Sequence, residues 1–340
     1  MKKKLSIIDI AKHLNVSITA VSFILNGKAK EKRISDELVE RVLKFVDEVG
    51  YKPNLLARGF RTGKTNIIGL LVEDISNPFF CSIAKNIEEA AYRNGYKILY
   101  SSTDNDTEKT KELIRVYRDR CVEGYIIAPP PGLEDDINDL IKSDFPVVLF
   151  DRSLEGVKSD YVGIDSAKSM YEGVKHLIEK GHKNIGFVTL DSLQSQMQDR
   201  FLGYDRAIQE YKLPEFIKEI SFHQSPENIV KQIIYFLQRK KELDAVVFAT
   251  NYLAVSGLKA ITELGLSVPK DLAIMAFDDL DLFELYAPSI TTVSQPVKRI
   301  SEEVISLLLD RLNNASGGKK KKPFQNIVLE TSLIIRNSTK

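Results

Sequence analysis

Residues 6–26 of the chain read SIIDIAKHLNVSITAVSFILN, a pattern of two short amphipathic helices. Apolar residues recur in this stretch at helical spacing, in two sets. The first set is Ile7, Ile10, Ala11 and Leu14, and the second is Val21, Ile24 and Leu25. Ser6 and Ser17 stand just before the two sets, where an N-cap serine accepts a hydrogen bond from the helix backbone. Two short helices joined by a tight turn predict a helix-turn-helix.

The second predicted helix has an outward face of short polar and apolar side chains. Its members are Ile18, Thr19, Ser22, Phe23 and Asn26. Hydroxyl and amide groups can bind phosphates, and apolar groups can contact thymine methyl groups in the major groove of DNA. The same residues also suit a small three-helix bundle that binds protein or no partner, so this stretch alone leaves both interpretations open.

The amino-terminal part of the chain is basic. Residues 1–63 contain 13 Lys or Arg against 7 Asp or Glu, an excess of six positive charges, whereas the whole chain carries +1 and the remainder therefore −5. A third helix is predicted from Ser35 to Gly50, which closes a three-helix core around Ile10, Val21 and Phe45 and completes a domain over residues 1–50. A basic amino-terminal domain attached to an acidic remainder indicates that the amino-terminal domain binds a polyanion.

Residues 51–63 are predicted to be a hinge segment. One interpretation is a short helix that orders on DNA, with Phe60 wedged into a base step of the minor groove while Arg58 and Arg61 hold phosphates. The other is a plain flexible tether. Gly63-Lys64-Thr65 ends like a phosphate-binding loop, but Arg58 stands where that motif needs its first glycine, and we reject a nucleotide site.

From residue 64 onward strands and helices alternate. Strands are predicted at 67–72, 96–101, 124–128, 147–150, 161–164, 185–190, 245–249 and 272–277. Such alternation predicts right-handed crossovers and parallel sheets. Eight or more strands exceed one comfortable doubly wound sheet, so we expect two α/β subdomains with a seam near 163–165.

Polar residues cluster just after these predicted strands, at the edge where open parallel sheets bind ligands. They are Asp74, Asn77, Asp104, Asp151, Arg152, Thr250, Asn251, Asp278 and Asp279. Carboxylates and amides with few cations favour sugar hydroxyls over a phosphate or carboxylate ligand. Phe79, Phe80 and Tyr252 could stack on a ring. For any single member the alternative is a simple helix N-cap.

Other classes of protein fit the sequence less well. The two cysteines are too few for a disulfide framework or zinc site, and no pair of the four histidines has metal-ligand spacing. The nucleophile-elbow and dinucleotide-binding motifs are absent, and an acid/base pair at Asp278 and Asp279 would lack a nucleophile. No run approaches the roughly 20 apolar residues of a membrane span. We expect a cytoplasmic protein that is not an enzyme and needs no cofactor or metal.

The ordered motifs of the whole chain resemble the lactose-repressor (LacI) family of bacterial transcription regulators. The matching segments are 8–11, 16–17, 20–22, 25–27, 50–54, 57–58, 68–69, 74–80, 148–152, 200–204, 277–279, 291–293, 333–336 and 338–339. The resemblance implies a homodimer that reads a pseudo-palindromic operator. It also implies an effector domain like a periplasmic sugar-binding protein, over residues 64–340. Its first subdomain would span about 64–163 plus 296–324, and its second about 164–295 plus 325–340.

The resemblance also assigns individual residues. Ser17, Ser22 and Asn26 fall at phosphate positions, Ile18, Thr19 and Phe23 at base-reading positions, and Ala57 and Phe60 at the minor-groove hinge. The pocket positions are Phe79, Phe80, Asp151, Arg152, Gln198, Asn251, Asp278 and Gln295. This sequence departs from many members in having Phe23 and Gln198 where arginine is common, Phe60 for leucine, Tyr252 for aspartate, and a longer basic loop at 27–34.

The sequence therefore predicts a DNA-binding transcriptional regulator, with a repressor favoured, whose operator affinity is controlled by a small ligand, a sugar or sugar derivative. The alternative is a sugar-binding protein without a transcriptional role. Whether the ligand releases or recruits DNA binding is left open, because linkage fixes only that the coupling is reciprocal.

Overall fold

The computed structural model describes residues 5–51, 64–315 and 322–340. The chain divides into two compact units, Met1–Thr65 and Asn66–Lys340. The predicted hinge contacts of Ala57, Arg58, Phe60 and Arg61 with DNA fall outside the described residues, and they stay predictions.

Three helices make up the described part of the first unit: α1 (Ile7–Leu14), α2 (Ile18–Leu25) and α3 (Asp36–Glu48). The hydroxyl groups of Ser6 and Ser17 accept hydrogen bonds from the backbone N–H three residues further on, which confirms both predicted N-caps. Asn15, with a φ of 50°, makes the left-handed turn between α1 and α2. Within the described ranges no single helix is long and apolar enough to cross a membrane. Only α1 and α2 taken together, across a bend of 113°, reach that length and hydropathy.

The core of this unit differs from the prediction at one position. Ile10 and Val21 are fully buried as expected, but the third central residue is Val42 rather than Phe45. Phe45 is half-buried and stacks on His13, with ring centroids 4.3 Å apart. Three positions along a helix correspond to a rotation of about 60°, which turns Phe45 away from the centre toward the flank of α1.

Two lobes, each with a six-stranded sheet, form the second unit. The first sheet has the order β11-β5-β4-β3-β1-β2. Its strands are β1 (Ile67–Val72), β2 (Lys97–Ser102), β3 (Gly124–Ile127), β4 (Val147–Phe150), β5 (Asp160–Ile164) and β11 (Asn326–Leu329). The second sheet has the order β12-β10-β9-β8-β6-β7. Its strands are β6 (Ile185–Asp191), β7 (Phe216–Ser221), β8 (Ala245–Phe248), β9 (Ala273–Phe277), β10 (Thr291–Ser294) and β12 (Ser332–Ile334).

All neighbouring strands are parallel except β10 and β12, which are antiparallel. In the centre of the first sheet, Ile68 of β1 lies opposite Ile98 of β2 and Gly124 of β3. The buried apolar runs of the central strands explain this arrangement, since a sheet covered on both faces needs apolar side chains on both. The predicted two-lobed α/β architecture is confirmed.

Helices cover both sheets. The first lobe contains α4 (Pro78–Arg93), α5 (Thr107–Asp119), α6 (Glu134–Lys142) and α12 (Val297–Ala315). The second contains α7 (Ser166–Glu179), α8 (Ser195–Glu210), α9 (Pro226–Arg239), α10 (Asn251–Glu263) and α11 (Asp281–Leu285), and a 3₁₀ turn (Asn337–Thr339) ends the chain. Asn77 caps α4 through its side chain, which accepts from the N–H of Phe79, as the Asn-Pro sequence predicts.

Four strands were missed by sequence reasoning, namely β7, β10, β11 and β12. The strands β7, β11 and β12 lie at sheet edges, where one side faces solvent and the apolar run is interrupted by polar residues. The assignment of 325–340 to the second lobe was wrong for β11, because β11 pairs with β5 of the first lobe. The chain passes between the lobes three times, after β5, after β10 and between β11 and β12.

A buried ion pair holds the returning chain to the first sheet. The carboxylate of Asp160, at the start of β5, is fully buried and accepts from Nε and Nη2 of Arg311 at 2.6 and 2.9 Å. It also accepts from the backbone N–H of Gln325, just before β11. Arg311 in turn donates to the carbonyl oxygens of Lys322 and Pro323. These contacts fix the position of β11 beside β5.

The Arg311→Met variant is expected to lower the free energy of unfolding by about 3–5 kcal/mol, because it leaves a buried carboxylate without its cation. Urea unfolding followed by circular dichroism measures this loss. Lys322→Met is the matched control, since its ion pair with Asp310 is 52% and 40% exposed, and exposed pairs contribute about 0–1 kcal/mol. Similar losses in both variants would contradict a structural role for the buried pair.

Candidate functional site: an effector cleft and a DNA-reading helix

The two lobes form a narrow cleft at the carboxyl ends of their strands, with a water-accessible volume of about 30 Å³. The lining residues are Glu73, Asn77, Phe79, Phe80, Asp151, Arg152, Leu190, Gln194, Gln196, Met197, Arg200, Thr250, Tyr252, Asp278 and Gln295. This is the edge at which open α/β sheets bind ligands. Of the eight predicted pocket residues, Phe79, Phe80, Asp151, Arg152, Asp278 and Gln295 line the cleft.

Arg152 organises the first-lobe wall of the cleft. Its guanidinium is 2% exposed and donates from Nη2 to Oε2 of Glu73 at 2.6 Å and from Nε to Oδ2 of Asp151 at 3.2 Å. Nη1 donates to the side chain of Asn105. Burial disfavours the charged guanidinium, but Glu73 and Asp151 outweigh this and raise the pKa of Arg152. The cation therefore stays charged and is fully engaged by its own lobe.

Arg200 plays the corresponding part in the second lobe. Its guanidinium donates from Nη1 to the carbonyl oxygen of Ala249 at 2.6 Å and lies 3.7 Å from Oδ2 of Asp278. The guanidinium carbon sits 3.7 Å from the centroid of the Phe277 ring, within cation–π range. Gln295 donates to the other carboxylate oxygen of Asp278 at 2.6 Å. Arg200 was missed as a pocket residue, although it belongs to the Arg-x-x-Gly-Tyr segment of the resemblance.

The predicted pocket residue Gln198 lies outside the cleft. It is exposed and donates to the carbonyl oxygen of Ser192 at 2.7 Å. Three residues of α8 line the cleft, Met197, Gln196 and Arg200. Gln196 and Arg200 are four positions apart and therefore on the same side of the helix. Gln198 stands two positions from each, about 200° around the helix, and so points the other way.

Asn251 also differs from its predicted role. It is 2% exposed, does not line the cleft, and donates through Nδ2 to Oδ1 of Asn77 at 3.2 Å. Asn77 belongs to the first lobe and Asn251 to the second, so this contact joins the lobes. A second contact between lobes links Ser153 and Ser195, whose hydroxyl accepts from the backbone N–H of Ser153 at 3.1 Å. Asn251 thus contacts Asn77, a residue of the cleft wall, rather than the cleft itself.

Aromatic side chains form part of the cleft wall. Phe79 and Phe80 of α4 are 8% and 3% exposed, and their rings meet edge to face with centroids 5.0 Å apart. Tyr252, at the start of α10, lies on the second-lobe side, and burial raises the pKa of its hydroxyl, which therefore stays protonated. These three residues give the cleft apolar faces beside its polar groups, a combination suited to a ring that carries hydroxyls.

Asp151 and Asp278 occupy equivalent places in the two lobes. Each follows a central strand and adopts a left-handed backbone conformation, with φ of 66° and 70°. Burial raises the pKa of both carboxyls, although Arg152 and Arg200 oppose this for Asp151 and Arg200 and Gln295 for Asp278. The left-handed conformation, which aspartate tolerates better than most residues, turns both carboxyls into the space between the lobes.

Two buried polar atoms of the cleft have no hydrogen-bond partner within the described part of the chain. They are Oε1 of Gln196, an acceptor, and Nε of Arg200, a donor. Buried polar groups are normally paired, so each such atom calls for an explanation. A ligand with both donor and acceptor groups would satisfy both. Among the described residues no three His, Cys, Asp or Glu side chains are placed to hold a metal ion.

The predicted DNA-reading face of α2 is only partly as expected. Ser17, Ile18 and Thr19 are exposed, with Ile18 at 45%, and Phe23 and Asn26 are half-buried. Ser22, predicted to face outward, is 5% exposed. The reason lies at the end of the helix, where Asn26 folds back, donates to the carbonyl oxygen of Ser22 at 2.6 Å and covers it.

The adjacent carboxyls Asp278 and Asp279 should respond to pH in opposite ways. Burial raises the pKa of Asp278 above its usual 3.8, so its protonated form favours folding and this contribution is lost as the pH rises through the raised pKa. Burial would also raise the pKa of Asp279, but hydrogen bonds from Arg336 and Thr292 outweigh it and hold that pKa below 3.8. The stability from Asp279 is therefore lost only as the pH falls below 3.8.

The free energy of unfolding of Asp278→Asn, relative to that of the wild type, is accordingly expected to be higher at pH 8 than at pH 4. Urea unfolding at both pH values measures this difference. Asp279→Asn is the matched control from the next position and should be destabilising at pH 8, with a cost that shrinks only in stronger acid. The same pH trend in both variants would contradict the opposite environments of the two carboxyls.

Comparison with known proteins places this geometry in a family. Residues 6–54 match the model of bacterial regulatory proteins of the lacI family, and residues 174–339 match that of the periplasmic binding protein-like domain. The HTH-type transcriptional regulator DegA of Bacillus subtilis is 33% identical over 349 residues, covering 99% of this chain and 98% of DegA.

Two solved structures resemble the second unit. One is a periplasmic binding protein/LacI transcriptional regulator from Alkaliphilus metalliredigens complexed with D-xylulofuranose, with a TM-score of 0.72 and 27% identity over 81% of this chain and 99% of that one. The other is a LacI family transcriptional regulator from Enterococcus faecium with bound ribose, with a TM-score of 0.69 and 27% identity over 80% and 98% of the two chains. With its helix-turn-helix and its two-lobed effector unit, the chain belongs to the LacI family of bacterial transcriptional regulators.

Proposed function

We propose that this regulator is a repressor whose operator affinity is controlled by an uncharged sugar bound between the two lobes. The observation that carries the proposal is the state of the two cleft guanidinium groups. Arg152 is engaged by Glu73 and Asp151, and Arg200 by Asp278 and the carbonyl oxygen of Ala249. Both cations that line the cleft in the described part of the chain already have a carboxylate partner, so a phosphate or carboxylate ligand would add a buried negative charge without a new cation to balance it, which would be costly.

The remaining polar groups of the cleft suit hydroxyls. Carboxylates accept hydrogen bonds from hydroxyl groups, and the amide of Gln196 and Nε of Arg200 offer one unused acceptor and one unused donor. Phe79 and Phe80 supply an apolar face for the ring. The sugars bound by the relatives from Alkaliphilus metalliredigens and Enterococcus faecium, D-xylulofuranose and ribose, belong to this class.

The coupling to DNA follows from where the ligand would bind. A sugar that contacts Asp151 in one lobe and Asp278 in the other favours the closed arrangement over an open one, and this difference in affinity is what shifts an equilibrium. If closure changes operator affinity, the operator must change sugar affinity by the same factor.

The operator would be read by two copies of the chain. A helix-turn-helix protein that binds DNA as a dimer places one recognition helix in each half-site of a pseudo-palindrome. Exposed apolar residues on the second unit support a homodimer. Leu282 and Leu285 of α11 are 47% and 82% exposed, and adjacent exposed leucines are typical of a surface that another chain covers.

A thermal-shift screen against neutral sugars, sugar phosphates and nucleosides tests the effector class. A neutral sugar at 100 times its dissociation constant should stabilise the protein by about 2.7 kcal/mol. Gln196→Ala should then weaken binding of that sugar by about tenfold, since it removes a hydrogen bond. Gln198→Ala, on the same helix but outside the cleft, is the control and should bind as the wild type does. A sugar phosphate as the only hit would refute the uncharged ligand.

Phe23→Ala tests the reading of DNA by α2. We expect it to weaken binding to the preferred operator by about 1–3 kcal/mol and to leave binding to random duplex nearly unchanged, because an apolar contact with a base edge carries sequence information. Fluorescence anisotropy with an operator selected from a random library by the wild type measures both. Equal loss on random DNA would contradict base reading. Failure of the wild type to select any sequence would instead favour a sugar-binding protein without a transcriptional role.

A further inference from the structure

The basic loop at residues 27–34 is a folded element. The backbone N–H of Lys28 donates to the carbonyl oxygen of Phe23 at 2.9 Å, and that of Lys32 donates to the carbonyl oxygen of Lys28 at 3.1 Å. A further backbone bond joins Ile34 to Ala29, and both of these side chains pack against the core of the first unit. The loop is thus held against the end of α2, and its charged side chains have defined places.

Those charged side chains are unpaired cations. Lys28, Lys30, Lys32 and Arg33 are all exposed, and Glu31 is the one acidic residue among them. None of the four cations forms an ion pair within the parts of the chain that the structure describes. Exposed cations without local partners are available to a polyanion.

One of the four lies against the recognition helix. The ammonium nitrogen of Lys32 is 5.4 Å from the centroid of the Phe23 ring, within the range of a cation–π interaction. Lys28 and Lys30 belong to the same loop, but neither lies over an aromatic ring of the described residues. The Phe23 ring therefore places a positive charge with three hydrogen-bond donors beside the side chain proposed to contact bases.

We propose that Lys32 is a specificity-determining residue that reads operator bases together with Phe23. The proposal rests on the proposed DNA-reading role of α2. A phenyl ring can recognise a thymine methyl group but offers no hydrogen bond, whereas a lysine ammonium donates to O6 and N7 of guanine in the major groove. Held on the ring, Lys32 enters the same groove as Phe23, and the two side chains read neighbouring bases as one unit.

The test uses the full-length protein and the duplex that the wild type selects from a random library, with a scrambled duplex for comparison. We expect Lys32→Gln to weaken binding to the selected duplex by about tenfold and to the scrambled duplex by less than about threefold. Lys28→Gln removes the same charge from the same loop without a ring contact. It should weaken binding to both duplexes to the same small extent, as the loss of a phosphate contact does.

A double-mutant cycle tests the joint reading. If the ring positions Lys32, the losses from Phe23→Ala and Lys32→Gln on the selected duplex are not additive. The double variant should then bind about two- to fivefold better than the product of the single losses predicts, the range of an exposed cation–π contact. The thermal stability of each variant controls for folding.

Two results would overturn the proposal. Equal loss on both duplexes for Lys32→Gln would reduce Lys32 to a phosphate contact, and an additive cycle would remove the link with Phe23. A wild type that selects no sequence would refute the proposed DNA reading by α2 itself, an outcome separate from either of these.

Discussion

The structure of the effector unit depends on the stabilisation of three largely buried carboxylates by neighbouring cations. Glu73, Asp151 and Asp278 follow strands of both sheets and are almost fully buried, an arrangement that is unfavourable unless cations accompany them. Arg152 and Arg200 supply those cations from within the protein. The ligand therefore does not have to neutralise the cleft, and the chemistry left for it is that of hydrogen bonds and apolar contact.

The two lobes are joined across the cleft by a small number of hydrogen bonds between polar groups of the described residues. Polar contacts between the lobes include those of Asn77 with Asn251, Ser153 with Ser195, and the Gln196 amide with Asp151. These hydrogen bonds are 3.1–3.5 Å long and of modest net strength. Contacts of this kind hold two lobes together without fixing them permanently, since water can replace each one. A ligand that adds further hydrogen bonds across the cleft can then shift the balance between open and closed lobes.

The carboxyl-terminal segment ties the second lobe together close to the cleft. Arg336 makes a bidentate pair with Asp279, the residue next to Asp278, with both N–O distances at 2.8 Å. The hydroxyl of Thr339 contacts the buried imidazole of His176 at 3.0 Å and the hydroxyl of Thr291 at 2.8 Å. Residues 336–339 thereby support the strand end that carries Asp278, a carboxylate that lines the cleft. The matching segments 333–336 and 338–339 lie in this tail, but the sequence did not predict these contacts.

The sequence by itself determined the helix-turn-helix, its serine caps, the eight strands with long apolar runs and the division into two lobes. All of these depend on residues close together in the chain, so their periodicity and capping can be recognised directly. Six of the eight predicted pocket residues line the cleft, because strand ends in parallel sheets share one edge. Only the tertiary structure decided the rest. Whether Gln196 and Arg200 or Gln198 face the cleft depends on the rotation of α8 against its sheet. The pairing of β11 with β5 and the position of Lys32 on the Phe23 ring depend on contacts whose partners no local pattern specifies.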